Sequence, residues 1–338
     1  ITGNGAASRI FFINTSTAAN ATISNFAGSE TQFQNSSSAA NAIIANNGIG
    51  AGNAPSITDF FNSSAAGMAM ISNLNGGETQ FQNSSTAGLA TISNLTGGET
   101  QFRNSSSAAN STIANNGIGA GNAPSITDFF DSSAAGSAKI TNSNGAETQF
   151  QNSSTAVTAT ISNISGGTTA FFNTGSAGNA SITDSGVGAG NVRSSTAFFD
   201  SSTASGAMIS NALGGTTQFL NSSTAGNAAI TNDGSGTAVK TNAVFFNTST
   251  AGSATITNVN TGRTQFQDTS TAGSASITNA NGGKTLFLGS STGASATITN
   301  NAGGIVDISA LAATGTVIGS GAGNIFLGSK QLTIGALN

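Results

Sequence analysis

The groups in this chain able to move a proton are almost all carboxylates: twelve Asp and Glu, against no His, no Cys and eight Lys and Arg. Glu78 and Glu99 open the same phrase, ETQF, 21 residues apart, and Glu30 and Glu147 open it elsewhere. Two carboxyls held ~5–9.5 Å apart could cleave a glycoside, one as acid and the other as nucleophile or base. No apolar setting is evident to lift a pKa, so solvated turn residues are the expectation. Asp131, Asp200 and Asp268 each replace a recurring Asn singly, which reads as drift. Without His, a Ser-His-Asp triad is excluded. Without Cys, so are disulfides and thiolate metal ligands.

Other patterns look chemical and are weaker. Gly48–Asn53, Gly117–Asn122, Gly186–Asn191 and Gly319–Asn324 are glycine-rich, as phosphate-cradling loops are. No Lys-Ser/Thr follows them and no helix pattern opens, so they read as insertion arms. They also lack the Asp of a Ca²⁺-binding nonapeptide. No cofactor and no metal are expected. Outward pairs such as Thr91 with Ser93, Thr255 with Thr257 and Thr297 with Thr299 resemble the flat arrays of ice-binding solenoids. Ile43, Met70, Lys139 and Met208 interrupt that column. Thr also simply suits a solvated strand face.

These groups must be positioned by something, and the positioning device is a repeat. With the Asn of FxN as origin, it falls at Asn14, Asn35, Asn62, Asn83, Asn104, Asp131, Asn152, Asn173, Asp200, Asn221, Asn247, Asp268 and Gly289. A 21-residue unit therefore recurs, sometimes with five or six residues inserted. Residues 35–103 and 104–172 match almost word for word. Phe always stands two before the origin, from Phe12 to Phe287, and Ile nine after it, from Ile23 to Ile298. Eleven after stands Asn, except at Asp184; seven after stands Ala, except at Ser111.

Side chains alternate along a strand. Positions −4, −2 and 0 should therefore share one inward face, and +7, +9 and +11 another. Ala at +4 marks a brief third strand. One unit cannot bury its Phe and Ile alone, but stacked units can, with equivalent residues ~4.8 Å apart. Each buried Phe or Ile then contributes ~1.5–3 kcal/mol. Stacked Asn can hydrogen-bond up and down a ladder. That explains the recurrent Asn better than the glycosylation pattern matched by Asn83-Ser84-Ser85. The expected fold is all-β, a parallel β-helix (β-solenoid) of about 21 residues per coil. Thirteen ladder coils fill 1–302, and coils of divergent pattern fill 303–338, near Ile305–Ile308, Thr316–Ile318, Ile325–Leu327 and Leu332–Ile334.

Composition narrows the function classes. Only 6% of residues are charged and the net charge is −4, which gives no reason to expect nucleic acid as a partner. No apolar run is long enough for a transmembrane helix. The chain begins at Ile1 without a charged segment leading into an apolar one, so any leader is expected to have been removed.

The tail phrase GAGNIFLGSKQLTIG, Gly321 to Gly335, resembles the segment preceding autotransporter-associated β-strand repeats in large bacterial autotransporter passengers. The upstream FxNSSTAGxATITN units are similar to the Asn-rich repeats of such passengers. That resemblance implies a right-handed β-helix displayed outside a Gram-negative cell, carried out by a C-terminal β-barrel. Neither barrel nor leader lies in this stretch, so a processed passenger segment is the expectation.

The reading is of a non-enzymatic structural or adhesive solenoid, extracellular or on the bacterial cell surface. It would bind a host or neighbouring-cell surface, or itself, by extended contact. The candidate contact stripe is Phe172, Phe199, Leu220 and Phe246, just before the origin on the outer face of the Phe strand. Insertion arms carrying Ile49, Ile118 and Val187 are expected to fold over such Phe. The alternatives are a filament subunit stacking through open solenoid ends, and a polysaccharide-acting or ice-binding β-helix.

Overall fold

The computed structural model describes residues 1–3, 8–26, 28–48, 55–118, 123–236, 238–312, 319–321 and 324–326. The Thr316–Ile318 and Leu332–Ile334 runs, Ile49 and most of the tail phrase lie outside them. The chain forms two compact units, Ile1–Ile182 with Val187–Ser194, and Thr183–Gly186 with Ser195–Asn338. Each unit is a parallel β-helix built from the same coil.

In the first unit a coil holds a Phe strand such as Glu78–Phe81 and an Ile strand such as Thr91–Leu95. Phe strands pair only with Phe strands, in parallel and in register: Phe60 with Phe81, and Phe81 with Phe102. Ile strands do the same, Ile71 with Ile92 and Ile92 with Ile113. Rings from Phe12 to Phe171 stack with centroids 4.6–4.8 Å apart and planes within 7°. The strand spacing sets that separation. The brief third strand is real but minimal: single parallel bridges at the third residue after the origin, as Thr86 with Ser107, precede the buried Ala87 and Ala108.

The second unit repeats this arrangement from Ser195–Phe198 onward, with Phe198, Phe219, Phe245, Phe266 and Phe287 stacked 4.6–5.0 Å apart. Tail strands extend both of its sheets. Ile305–Asp307 pairs with the strand of Lys284, Asn324–Phe326 with that of Ile305, and Gly319–Gly321 with that of Ile298.

The Asn at +11 forms the expected ladder and lies buried within the Ile strand. Asn46 Nδ2 donates to Asn73 Oδ1 at 2.8 Å, Asn73 to Asn94 at 2.8 Å, and Asn94 to Asn115 at 2.7 Å. The ladder also ties the two sheets together. Thr79 and Thr100 of the Phe strands donate to Asn73 and Asn94 Oδ1 at 2.9 Å. Asp184, standing in this column, accepts from Thr196 at 2.9 Å.

The origin Asn departs from the expectation. It is exposed, outside the Phe strand, with φ of 60° at Asn83 and 59° at Asn104. Most L-residues resist this left-handed conformation, while Asn, Asp and Gly tolerate it. Asp131 and Gly289, at φ 58° and 62°, obey the same rule. The substitutions at this column are thus limited by backbone conformation.

Candidate functional site

The Phe strand turns its even members to the core and its odd members outward, so ETQFQ writes an outer row of Glu, Gln and Gln. Within a row each side chain donates to the one two residues before it. Gln82 donates to Gln80 at 2.7 Å and Gln80 to Glu78 at 2.8 Å; Gln34, Gln32 and Glu30 form the same relay. Arg103 replaces the last Gln in one row, donating to Gln101 at 2.8 Å while its guanidinium lies 4.7 Å from the Phe130 ring centroid.

The carboxylates are not the solvated turn residues expected. Glu78 lies on the Phe strand opposite Glu99 and is only 8% exposed. Burial, then the Glu99 charge, pushes its pKa up. Burial likewise raises Glu147. The pair keeps its one-strand separation, but Gln80 and Gln101 hold the two carboxylates along the sheet.

Two carboxylates that the sequence reading passed over are more perturbed. Asp59 sits outward between Ile57 and Phe61, and Asp128 between Ile126 and Phe130, at 6% and 7% exposure. One oxygen of each is buried without a hydrogen-bond partner. Burial is the largest cause lifting both to about 8; the Glu30 hydrogen bond and charge add at Asp59, as do the Glu99 and Glu147 charges at Asp128. The signal was present in ITDFF. An Asp with Ile two before and Phe two after shares its face with both.

The stripe residues are half-buried. Phe172 belongs to the first unit. Phe199, Leu220 and Phe246 follow consecutive paired strands in the second. Two arm residues, Ile118 and Gly188, meet the corner entering the Phe strand. The Ile118 methyl lies 2.7 Å from where a Cβ on Gly145 would be, and Gly188 packs on Ser165 and Gly166.

A group of highly exposed large apolar residues in the first unit lies elsewhere, on the Ile-strand face. Ile43 and Met70 are directly opposed, Met68 precedes Met70 by two, and Leu89 is the counterpart of Met68 one coil on. They are 51%, 58%, 60% and 61% exposed respectively. The duplicated block places exposed Thr112, Lys139, Ser137 and Thr158 at the same four positions. The coil therefore does not require apolar side chains there.

The second unit carries a basic cluster that sequence reading also missed. Lys240, Arg263 and Lys284 line a shallow depression of about 240 Å³ with Ala238, Val239 and Thr261. Arg263 and Lys284 are directly opposed on neighbouring Phe strands, in the column Glu holds in the first unit. An arm delivers Lys240. It is pinned by Gly234 N to Val259 O at 3.1 Å, by Asn260 Nδ2 to Asp233 at 3.0 Å, and by Arg263 N to Thr241 O at 3.1 Å. The 21-residue step from Arg263 to Lys284 was visible in sequence; only the fold adds Lys240.

Among the described residues no three of His, Cys, Asp or Glu converge to hold a metal ion, and no helix is long and apolar enough to cross a membrane. No protein-family model matches the chain, and no curated protein matches it. Among solved structures, the chain is similar to the crystal structure of a TibC-catalyzed hyper-glycosylated TibA fragment. The likeness covers 96% of this chain and 98% of that one, at 14% identity and a TM-score of 0.47.

Proposed function

We propose that this chain is part of an extracellular or bacterial surface-displayed β-solenoid of the autotransporter-passenger kind, and that it adheres rather than catalyses. The observation that carries the reading is the group Ile43, Met68, Met70 and Leu89. Exposed apolar side chains at positions the fold fills equally well with Thr, Ser and Lys cost solubility, and contiguous patches of this kind mark contact surfaces. The face around them is charge-poor, which suits extended contact with a cell surface or a second copy. Phe172 in the first unit, and Phe199, Leu220 and Phe246 in the second, are further contact candidates as half-buried outward aromatics and aliphatics.

The test borrows residues from the duplicate. Ile43→Thr, Met68→Ser, Met70→Lys and Leu89→Thr together should leave Tm within about 3 °C of the parent, since surface changes away from special features are small. Adhesion or aggregation of cells displaying the chain should fall at least about tenfold, as loss of an interface centre does. Undiminished adhesion by the folded variant removes this patch from the proposal. Substituting Phe199 and Phe246 by Ser tests the other candidates in the same assay.

A further inference from the structure

We infer that Lys240, Arg263 and Lys284 form a binding site for the carboxylate or sulfate groups of an acidic polysaccharide. The inference rests on the adhesive reading and gives it a ligand class. Three of the chain's eight basic residues meet at one depression in a protein of net charge −4. Arg263 and Lys284 are opposed in register, and like charges so placed repel. A third cation on the arm adds to that repulsion. An anion seated between them reverses its sign.

Three carboxylates of this unit, Asp233, Asp268 and Asp307, accept hydrogen bonds of their own. Asp233 accepts from Ser235 N at 2.9 Å and Asn260 Nδ2 at 3.0 Å. Asp307, on the strand beyond Lys284, accepts from Ser309 N at 3.0 Å and its hydroxyl at 2.6 Å. Asp268 receives Asn247 N at 2.8 Å, at the far end of the Phe strand. Among the described residues neither Lys240 nor Lys284 makes an ion pair.

The walls choose among anions. Ala238 and Val239 offer an apolar surface for the C–H face of a sugar ring, and the Thr261 hydroxyl can bond a ring substituent. Lys240, Val239 and Thr261 are exposed, so the site is open to a polymer passing across it. The arm that completes it is closely packed where it leaves the Ile strand. A Cβ on Gly234 would lie 2.2 Å from Asn260 O, an approach only glycine allows.

The experiment passes the parent and the Lys240→Glu/Lys284→Glu variant over immobilised polygalacturonate, heparin, dextran and double-stranded DNA. Circular dichroism checks that both fold, and Lys240→Gln/Lys284→Gln provides a charge-neutral version. The parent should bind polygalacturonate, heparin or both, but not dextran, and release as salt rises. The Glu variant should bind at least tenfold more weakly, with the Gln variant between. Absence of parent binding to both acidic polymers, variant binding within twofold of the parent, or equal retention on DNA would each overturn the site. Cell adhesion by the parent, measured in parallel, separates the readings: parent adhesion without acidic-polymer binding removes this site alone, and a parent that neither adheres nor binds acidic polymer removes the adhesive function as well.

Discussion

At the scale of single residues, Asp59 and Asp128 bring the largest pH dependence. Each titrates near 8 in the folded protein against an ordinary 3.8. Between those values the folded state binds more protons than the unfolded one, so stability declines as pH rises and levels off above about 8. Glu78 and Glu147, raised by burial, act in the same direction. Tm should therefore fall by upwards of about 15 °C from pH 5 to pH 9, on the usual conversion for units of this size. Asp59→Asn with Asp128→Asn should remove most of that decline and raise Tm at pH 9. A Tm that climbs over this range would mean these carboxyls are stabilised as anions. Their absence from the sequence reading has a simple cause. Burial on a strand's outer face depends on residues two away and one coil away, and only the first are near in the chain.

At the scale of the element, the two Asn columns of one coil separate by backbone conformation. Both recur along the chain, the +11 Asn with one exception and the origin Asn with four, and alternation alone put both inside. The +11 Asn was legible because it continues the period of Ala and Ile. The origin Asn was misplaced because alternation was extended one step past the strand's end, where φ turns positive. Their mutants should differ accordingly. Asn94 accepts from Asn73 at 2.8 Å and Thr100 at 2.9 Å, and donates to Asn115 at 2.7 Å. Asn94→Ala strands buried groups in two coils at ~1–3 kcal/mol each, so thermal unfolding should drop by about 5–15 °C. Asn83→Gly should shift Tm by less than about 2 °C, since Gly accepts positive φ without strain. Equal sensitivity at both positions would contradict this division. The basic cluster was legible only in half, because an arm joins positions that the repeat does not relate.

At the scale of the whole molecule, a coil touches little beyond its two neighbours, so damage should stay local. Phe102 tests this. Its ring is fully buried and stacks 4.7 Å from Phe81 and 4.8 Å from Phe129. Phe102→Ala removes about 3–5 kcal/mol of packing from that point in the stack. Hydrogen exchange should quicken in Glu78–Phe81, Glu99–Phe102 and Ile126–Phe129, where amides are bonded across the lost ring. Strands of the second unit, such as Arg263–Phe266, should exchange at the parental rate. Their protection depends on their own stacked Phe and Asn columns, which the substitution leaves intact. A uniform rise across both units would instead require that opening at one coil unfolds the entire chain, and the nearest-neighbour account of its stability would then fail.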